Sequence, residues 1–282
     1  MQISTKNDKI LQKGCEIVNY KDLEKKFISN LSSISHELQT PVNMISAIAK
    51  LSEMKIEKDE VDIAELKEHM DRIINNCNKI SMLISNIMDI NTITTSRKEY
   101  VNTKQFFEAF CKTVEPLCED AGVKLIYDFD AKNEYIHISV LTIERILLNL
   151  ITNAIKYNDK SKKTIKIKIS DDENNIIFSV KDNGIGISKE NIEKITTQFF
   201  RVDKNVSTGM GLGLTLVEKY LESMNGTMTI KSQLKKGTEI ILSIPFTSQN
   251  HIFTANEFDY SYIPEINSFK IEFAQLKTYN NF

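Results

Sequence analysis

The chain has 282 residues, of which 41% are apolar and 26% charged, a balance that is typical of folded globular proteins. It carries 36 Lys and Arg against 38 Asp and Glu, and a net charge of -2 gives no bulk attraction to nucleic acid or to an anionic membrane. No apolar run approaches the ~18 residues of a membrane span, and the N-terminus has no hydrophobic signal core. We therefore expect a soluble, cytoplasmic protein with no membrane insertion, and the four scattered cysteines fit a reduced compartment.

Residues 1–20 are interpreted as a short leader, and residues 21–94 predict two long helices joined by the charged segment 55–62. The apolar residues of the later helix recur in alternating steps of three and four, as in a helical bundle: Ile63, Leu66, Met70, Ile73, Cys77, Ile80, Ile84 and Ile87. The earlier helix has a less regular stripe: Phe27, Leu31, Ile34, Leu38, Val42, Ile45 and Ile48. The short connection predicts an antiparallel hairpin. Because two helices cannot bury both stripes alone, we expect a homodimeric four-helix bundle.

The next segment, residues 95–248, predicts a domain of helices and strands. Helices are expected at 104–120, 140–157 and 211–224. Strands are expected at 123–130, 134–139, 164–170, 175–180, 226–232 and 237–246, with the last two as a hairpin. This mixture predicts an α+β sandwich, in which one mostly antiparallel sheet carries helices on one face.

The C-terminal tail, residues 249–282, is rich in Phe and Tyr. Its apolar content favours a flap that packs on the preceding domain for stability. The alternative hypothesis is a segment that docks a regulator or restrains that domain.

His36 lies two positions from Ile34 and from Leu38 on the apolar stripe, so it turns toward solvent. Its neutral imidazole can act as a nucleophile when the other ring nitrogen keeps its proton. Glu37 is a candidate general base, although adjacent helical residues do not face each other well, and Thr40 shares the face of the histidine one turn later. The alternative is that His36 is simply a surface histidine, one of four with His69, His137 and His251.

A second group of polar residues follows one stripe of the helix predicted at 140–157: Asn149, Asn153, Lys156 and Tyr157. Amide oxygens on one face can ligate Mg²⁺ together with water and phosphate, and a lysine can neutralise phosphate charge. Asparagines taken singly on a helix surface usually carry no function, so this interpretation depends on the glycine motifs that follow.

Two glycine-rich segments complete the pattern. Asp182 ends a strand just before Gly184 and Gly186, where its carboxylate can accept a hydrogen bond from an exocyclic amine while the backbone approaches a base. The alternative is a simple turn, which Asn-Gly favours. The glycines at 209, 211 and 213 precede a helix, so their N–H groups can contact phosphates. The spacing does not fit the dinucleotide fingerprint, and no phosphate-binding loop of the GxxxxGK[ST] type is present.

The succession of SHELQTPVN, the asparagine-containing helix, DNGIGI, FFR at 199–201 and GMGLGL resembles bacterial two-component histidine kinases over about residues 22–247. The resemblance implies a dimeric histidine-bearing hairpin followed by an ATP-binding domain of the kind shared with type II topoisomerases, Hsp90 and MutL.

The same resemblance implies roles for individual residues. His36 is similar to the phosphorylated histidine, Glu37 to its acidic base and Thr40 to the position used to dephosphorylate the partner. Asn153 resembles the main magnesium ligand, and Asp182 the acceptor for the adenine amine. The other nucleotide-contacting positions that it implies are Asn149, Lys156, Tyr157, Gly184, Gly186, Arg201, Gly209, Gly211, Gly213 and Thr238.

The function implied by the resemblance is an Mg²⁺- and ATP-dependent histidine autokinase that passes its phosphoryl group to an aspartate of a response-regulator receiver domain, and that also dephosphorylates this regulator. No sensory domain is recognisable before the histidine helix, so we expect the signal to come through a separate sensor or regulator protein, the leader or the tail. Two alternatives stay open: a nucleotide-binding adaptor or phosphatase with little kinase activity, and an ATPase gated by dimerisation.

Overall fold

The structure is a computed structural model, and it describes residues 32, 34–58, 62–92, 98–197 and 211–246. The predicted leader and tail, the start of the first apolar stripe at Phe27 and Leu31, and the predicted site residues Arg201 and Gly209 lie outside the described residues.

The first two helices form the expected hairpin. Helix α1 covers residues 34–57, and helix α2 covers Ile63–Thr92. Helix α1 continues through Pro41, although this residue cannot donate a hydrogen bond to the carbonyl of Glu37. The less exposed positions of α1 are Glu37 and a series that steps by three and four residues: Ile34, Leu38, Pro41, Ile45, Ile48, Ser52 and Lys55. No helix that the structure describes has both the length and the hydropathy needed to cross a membrane.

Within the single chain, the stripe predicted on α2 divides into two sets of residues. Leu66, Ile73, Ile80 and Ile87 are partly buried, whereas Ile63, Met70, Cys77 and Ile84 are exposed within the single chain. The places of these exposed residues in the hairpin contact are taken by His69, Asn76 and Leu83, which are buried. Two of the three are polar, so a pattern of apolar residues could not find them. His69, one of the four histidines assigned to the surface in the alternative reading, is only 7% exposed.

The second unit begins with strand β1 (Glu99–Asn102) and alternates helices with strands. Its elements are α3 (Thr103–Asp120), β2 (Val123–Asp130), β3 (Tyr135–Ile138), α4 (Val140–Lys156), β4 (Lys163–Asp171), β5 (Asn175–Asp182), α5 (Lys189–Ile192), α6 (Gly213–Ser223), β6 (Thr227–Gln233) and β7 (Gly237–Pro245). Side-chain oxygens of Asn102 and Ser139 accept hydrogen bonds from backbone N–H groups in the first turns of α3 and α4, which explains where these helices begin.

Five strands form the main sheet in the order β2-β4-β5-β7-β6. The β2–β4 pair is parallel and the other pairs are antiparallel, including the predicted β6–β7 hairpin. Strand β3 pairs instead with β1, a strand that we did not predict, in a separate two-stranded sheet. The prediction of a helical hairpin followed by an α+β sandwich is confirmed, but the single sheet that we expected is two sheets.

The core lies between one face of the five-stranded sheet and helices α3, α4 and α6. Each of the long strands β4 and β5 alternates buried apolar residues with more exposed ones, as a sheet covered on one side requires. Leu83 and Ile87 of α2 pack against this core, as do Ile34 and Leu38 of α1. The second unit and one end of the hairpin are therefore in contact.

Candidate nucleotide pocket and phosphoacceptor histidine

A pocket opens between α4, the loop after β5, the first residues of α6 and the last turns of α2. Of the predicted nucleotide-contacting residues, the pocket is lined by Asn149, Asn153, Lys156, Tyr157, Asp182, Gly186, Gly211, Gly213 and Thr238. Gly184 lies in the same loop but does not line the pocket. The structure thus brings together residues that lie up to 89 positions apart in the chain.

Asp182 lies at the apolar end of the pocket, close to Val180 and Ile240 on neighbouring strands. Its Oδ1 accepts hydrogen bonds from the backbone N–H groups of Gly184, at 2.8 Å, and Thr238, at 3.2 Å. Burial raises the pKa of the Asp182 carboxyl, and these two hydrogen bonds act in the opposite direction. Within the described part of the chain, its second oxygen accepts no hydrogen bond from another residue. This oxygen suits an amino group on a flat, apolar ring such as adenine.

The glycines at 184 and 186 allow the loop to pack closely on its neighbours. A Cβ on Gly184 would come within 2.3 Å of the carbonyl oxygen of Tyr157, and one on Gly186 within 2.0 Å of the carbonyl oxygen of Gln233. Gly186 also has φ +68°, a conformation that side chains disfavour. Gly184 therefore affects the pocket indirectly, because the absence of a side chain lets the loop lie against the end of α4.

Two asparagines that the sequence reasoning missed hold this loop in place. The Nδ2 of Asn158, which is buried, donates to Oδ1 of Asn183 at 2.9 Å, and the same oxygen accepts from the backbone N–H of Thr164 at 2.9 Å. On the other side, the hydroxyl of Ser232 contacts the hydroxyl of Thr238 at 2.8 Å and accepts from the N–H of Ile187 at 2.7 Å. Asn183 lies in the DNGIGI motif, whereas nothing in the sequence singles out Asn158.

The opposite end of the pocket is polar. Asn149 and Asn153 lie one helical turn apart on α4, and the space for a Cβ on Gly213 is 3.2 Å from Oδ1 of Asn149 and 3.5 Å from Nδ2 of Asn153. The first residues of α6 therefore meet the amides of α4, and Lys156 lines the same pocket. Amides, a lysine and a helix N-terminus form a set of groups that suits phosphates.

His36 is exposed on α1 and does not line the pocket. Thr40 is exposed on the same face, and its Oγ1 donates to the backbone carbonyl of His36 at 3.1 Å. Glu37 is half-buried. The structure thus gives His36 the accessibility that a phosphoacceptor requires, and it keeps the Thr40 hydroxyl within one turn of it.

The hairpin register places His36 beside the end of α2 that borders the pocket. Ser52 of α1 hydrogen-bonds His69 of α2, so these residues lie opposite each other. Because the helices are antiparallel, His36 lies opposite the turn of α2 that contains Asn86. Asn86 itself lines the pocket, together with Met82 and Leu83. These three residues were missed because nothing in the sequence shows which part of the hairpin meets the second domain.

The pocket fits a nucleotide better than it fits a bare metal ion. Among the described residues there is no group of three or more His, Cys, Asp or Glu that could hold a metal. The pocket instead has an apolar end with a carboxylate acceptor and a polar end with amide and lysine groups. A divalent cation could enter as a complex with phosphates, with Asn153 as a protein ligand.

Two family models match the chain. Residues 29–96 match the His Kinase A (phospho-acceptor) domain, and residues 139–248 match the histidine kinase-, DNA gyrase B- and HSP90-like ATPase. The first covers His36, and the second covers the pocket residues of α4, the β5 loop, α6 and β7.

Relatives and solved structures agree with these matches. The autoinducer 2 sensor kinase/phosphatase LuxQ of Vibrio vulnificus is 30% identical over 232 residues, which are 76% of this chain and 26% of LuxQ. The structure of full-length ShkA in complex with AMPPNP has a TM-score of 0.59 at 20% identity, over 78% of this chain and 46% of ShkA. The histidine kinase ThkA in complex with the response regulator protein TrrA has a TM-score of 0.58 at 22% identity, over 77% of this chain and 61% of that chain. This chain spans only about a quarter of the length of LuxQ.

Proposed function

Because this chain belongs to the two-component histidine kinases, we propose that it transfers the γ-phosphoryl group of ATP to His36 and then to an aspartate of a response-regulator receiver domain. The observation that carries the proposal is the register of the hairpin, in which an exposed histidine lies at the same level as the turn of α2 that borders the pocket. The ShkA–AMPPNP and ThkA–TrrA complexes support the choice of nucleotide and of partner.

The first step forms a bond between a ring nitrogen of His36 and the γ-phosphorus, and it breaks the bond to the β-phosphate oxygen, so that ADP is released. Asp182 and Thr238 select the base, while Asn149, Asn153, Lys156 and the N–H groups at Gly211 and Gly213 hold the phosphates. Glu37 is proposed as the base that takes the ring proton. Mg²⁺ bound with the nucleotide at Asn153 would neutralise phosphate charge, and catalysis is mainly positioning and electrostatic stabilisation.

The second step moves the phosphoryl group from His36 to the receiver aspartate. Thr40 is proposed to orient the water that hydrolyses the phosphorylated regulator in the separate dephosphorylation reaction. This proposal rests on its position on the exposed face of His36. The kinase/phosphatase relative LuxQ supports this second activity.

We also propose that the active protein is a homodimer and that it works in the cytoplasm, where ATP is supplied. Support for the dimer comes from α2, on which Ile63, Met70 and Ile84 are exposed at 81%, 43% and 46% in the single chain. A second copy would cover this stripe in a four-helix bundle.

The test is to incubate the protein with Mg²⁺ and γ-labelled ATP and to follow protein-bound label through acid and base. We expect acid-labile, base-stable label on the wild type and on a control His137→Gln variant, and none on His36→Gln. Equal label on His36→Gln would show that the wrong histidine has been chosen.

The other outcomes separate the alternatives. Nucleotide binding without label on any variant would favour the adaptor or phosphatase function. Steady release of phosphate with no phosphoprotein would favour a dimerisation-gated ATPase.

A further inference from the structure

The nucleotide pocket has a wall that comes from the hairpin rather than from the ATP-binding domain. Met82, Leu83 and Asn86 lie on one side of the last turns of α2, and all three line the pocket. Leu83 is buried in the same core as Leu212 and Leu216, at the start of α6. Contacts between α2 and α6 hold this part of the hairpin against the second unit, and Asn86 lies on the pocket wall beside them.

Asn86 is the polar member of this wall. It is half-buried, and its side-chain amide makes no hydrogen bond with another residue in the described part of the chain. An amide offers two donors and an acceptor, so it can hydrogen-bond a ligand through either kind of group. The side chains of the neighbouring Met82 and Leu83 are apolar, so the structure leaves this amide available to whatever fills the pocket.

The location of Asn86 points to the phosphate end of a nucleotide. Of the elements of the ATP-binding domain, α2 has its main contact with α6. The residues of this segment that line the pocket are the first ones, Gly211–Leu214, which also meet the amide of Asn149. Asp182, which marks the other end, lies on the strand side of the pocket.

We propose that Asn86 donates a hydrogen bond to a phosphate oxygen of the bound nucleotide, so that the nucleotide bridges the hairpin and the ATP-binding domain. The inference rests on the proposed function, because it requires that ATP occupies this pocket. It adds a binding residue from outside the nucleotide-binding domain. Since a ligand stabilises the arrangement that it contacts most, nucleotide binding also favours the packing of α2 against α6.

The test measures the affinity of the full chain for Mg²⁺-AMPPNP and for adenosine by calorimetry, with Asn86→Ala and Asn86→Asp. Asn78→Ala and Asn78→Asp are matched controls, because Asn78 is a half-buried asparagine of α2 that does not line the pocket. We expect Asn86→Ala to weaken AMPPNP binding by about 2- to 10-fold, the range for one hydrogen bond. Asn86→Asp should weaken it further, because a carboxylate repels phosphate. Adenosine binding should not change.

Three results would overturn the proposal: Asn86 variants that bind AMPPNP like the wild type, controls that lose as much affinity, or equal losses for adenosine. Unchanged melting temperatures of the variants show that a loss does not come from unfolding. If the wild type itself binds no nucleotide, the proposed function fails as well; if it binds and the Asn86 variants match it, only this inference fails.

Discussion

The hairpin and the ATP-binding domain bury their apolar side chains to different extents. Within the described residues, ten of the fourteen exposed large apolar side chains belong to α1 and α2, and four belong to the second unit. The ATP-binding domain encloses a continuous layer of Phe, Ile, Leu and Val between its sheet and three helices. The hairpin instead has a narrow contact in which buried polar residues take part.

This difference indicates what each unit needs from outside. The ATP-binding domain supplies nearly all of the residues of its core, so its stability should depend mainly on its own packing. In the hairpin, the buried residues between the two helices include Ile48, Ser52, His69 and Asn76, whereas the large apolar side chains on the other side of the helices are exposed to solvent. Its stability should therefore depend on a second copy and on the few polar contacts between its helices.

The largest effect is expected when a large side chain in the core of the ATP-binding domain is truncated. Phe178→Ala removes a fully buried ring from the centre of the sheet and should lower the free energy of unfolding of the ATP-binding domain by about 3 to 5 kcal/mol. Ile126→Ala, on the open face of the same sheet, is the control and should cost much less. Urea unfolding measures both, and a similar loss for the two variants would contradict the idea of one closed core.

A charge on the open stripe of the hairpin should have the next largest effect. Met70→Glu would bury an unpaired carboxylate between two copies, which we expect to weaken dimerisation by about 100-fold, or about 3 kcal/mol. Ala64→Glu adds the same charge at an exposed position of α2 outside the apolar stripe and should leave the dimer intact. Sedimentation over a range of concentrations measures both. A dimer unaffected by Met70→Glu would show that this stripe is not the interface.

The smallest of these effects concerns the polar contact inside the hairpin. Ser52 hydrogen-bonds the Nδ1 of His69 at 2.8 Å and the carbonyl of Ile48 at 2.9 Å, and it is buried. Ser52→Ala leaves the buried imidazole without this partner and should destabilise the hairpin by about 1 to 3 kcal/mol.

The matched control is Ser46→Ala, at an exposed position of α1. Amide hydrogen exchange should become faster in α1 and α2 for Ser52→Ala alone, while the ATP-binding domain keeps its protection. Equal exchange in the two variants would mean that the Ser52–His69 contact contributes nothing to stability.

Much of this protein could be predicted from the order of its residues, because the deciding interactions are local. Apolar periodicity and turn residues predicted both long helices, α3, α4, α6 and the six strands from β2 to β7, because these signals repeat within a few residues. The motifs around His36, Asn153 and Asp182 are each contiguous in the sequence, and the resemblance to the histidine kinases that they carry together implied the roles of these residues. Helix α5 is four residues long, too short to show a helical period, and strand β1, which is no shorter than the predicted β3, has no alternation of apolar and polar residues.

Only the tertiary structure decided which faces meet. Met70 and His69 lie on opposite sides of the partly buried series that contains Leu66 and Ile73. Which of the two is buried depends on the angle at which α1 lies against α2. The pairing of β3 with β1, the support of the β5 loop by Asn158, and the contribution of Asn86 to the pocket all join segments distant in the chain. Local propensity carries no information about such contacts, because their free energy exists only once the whole core has packed.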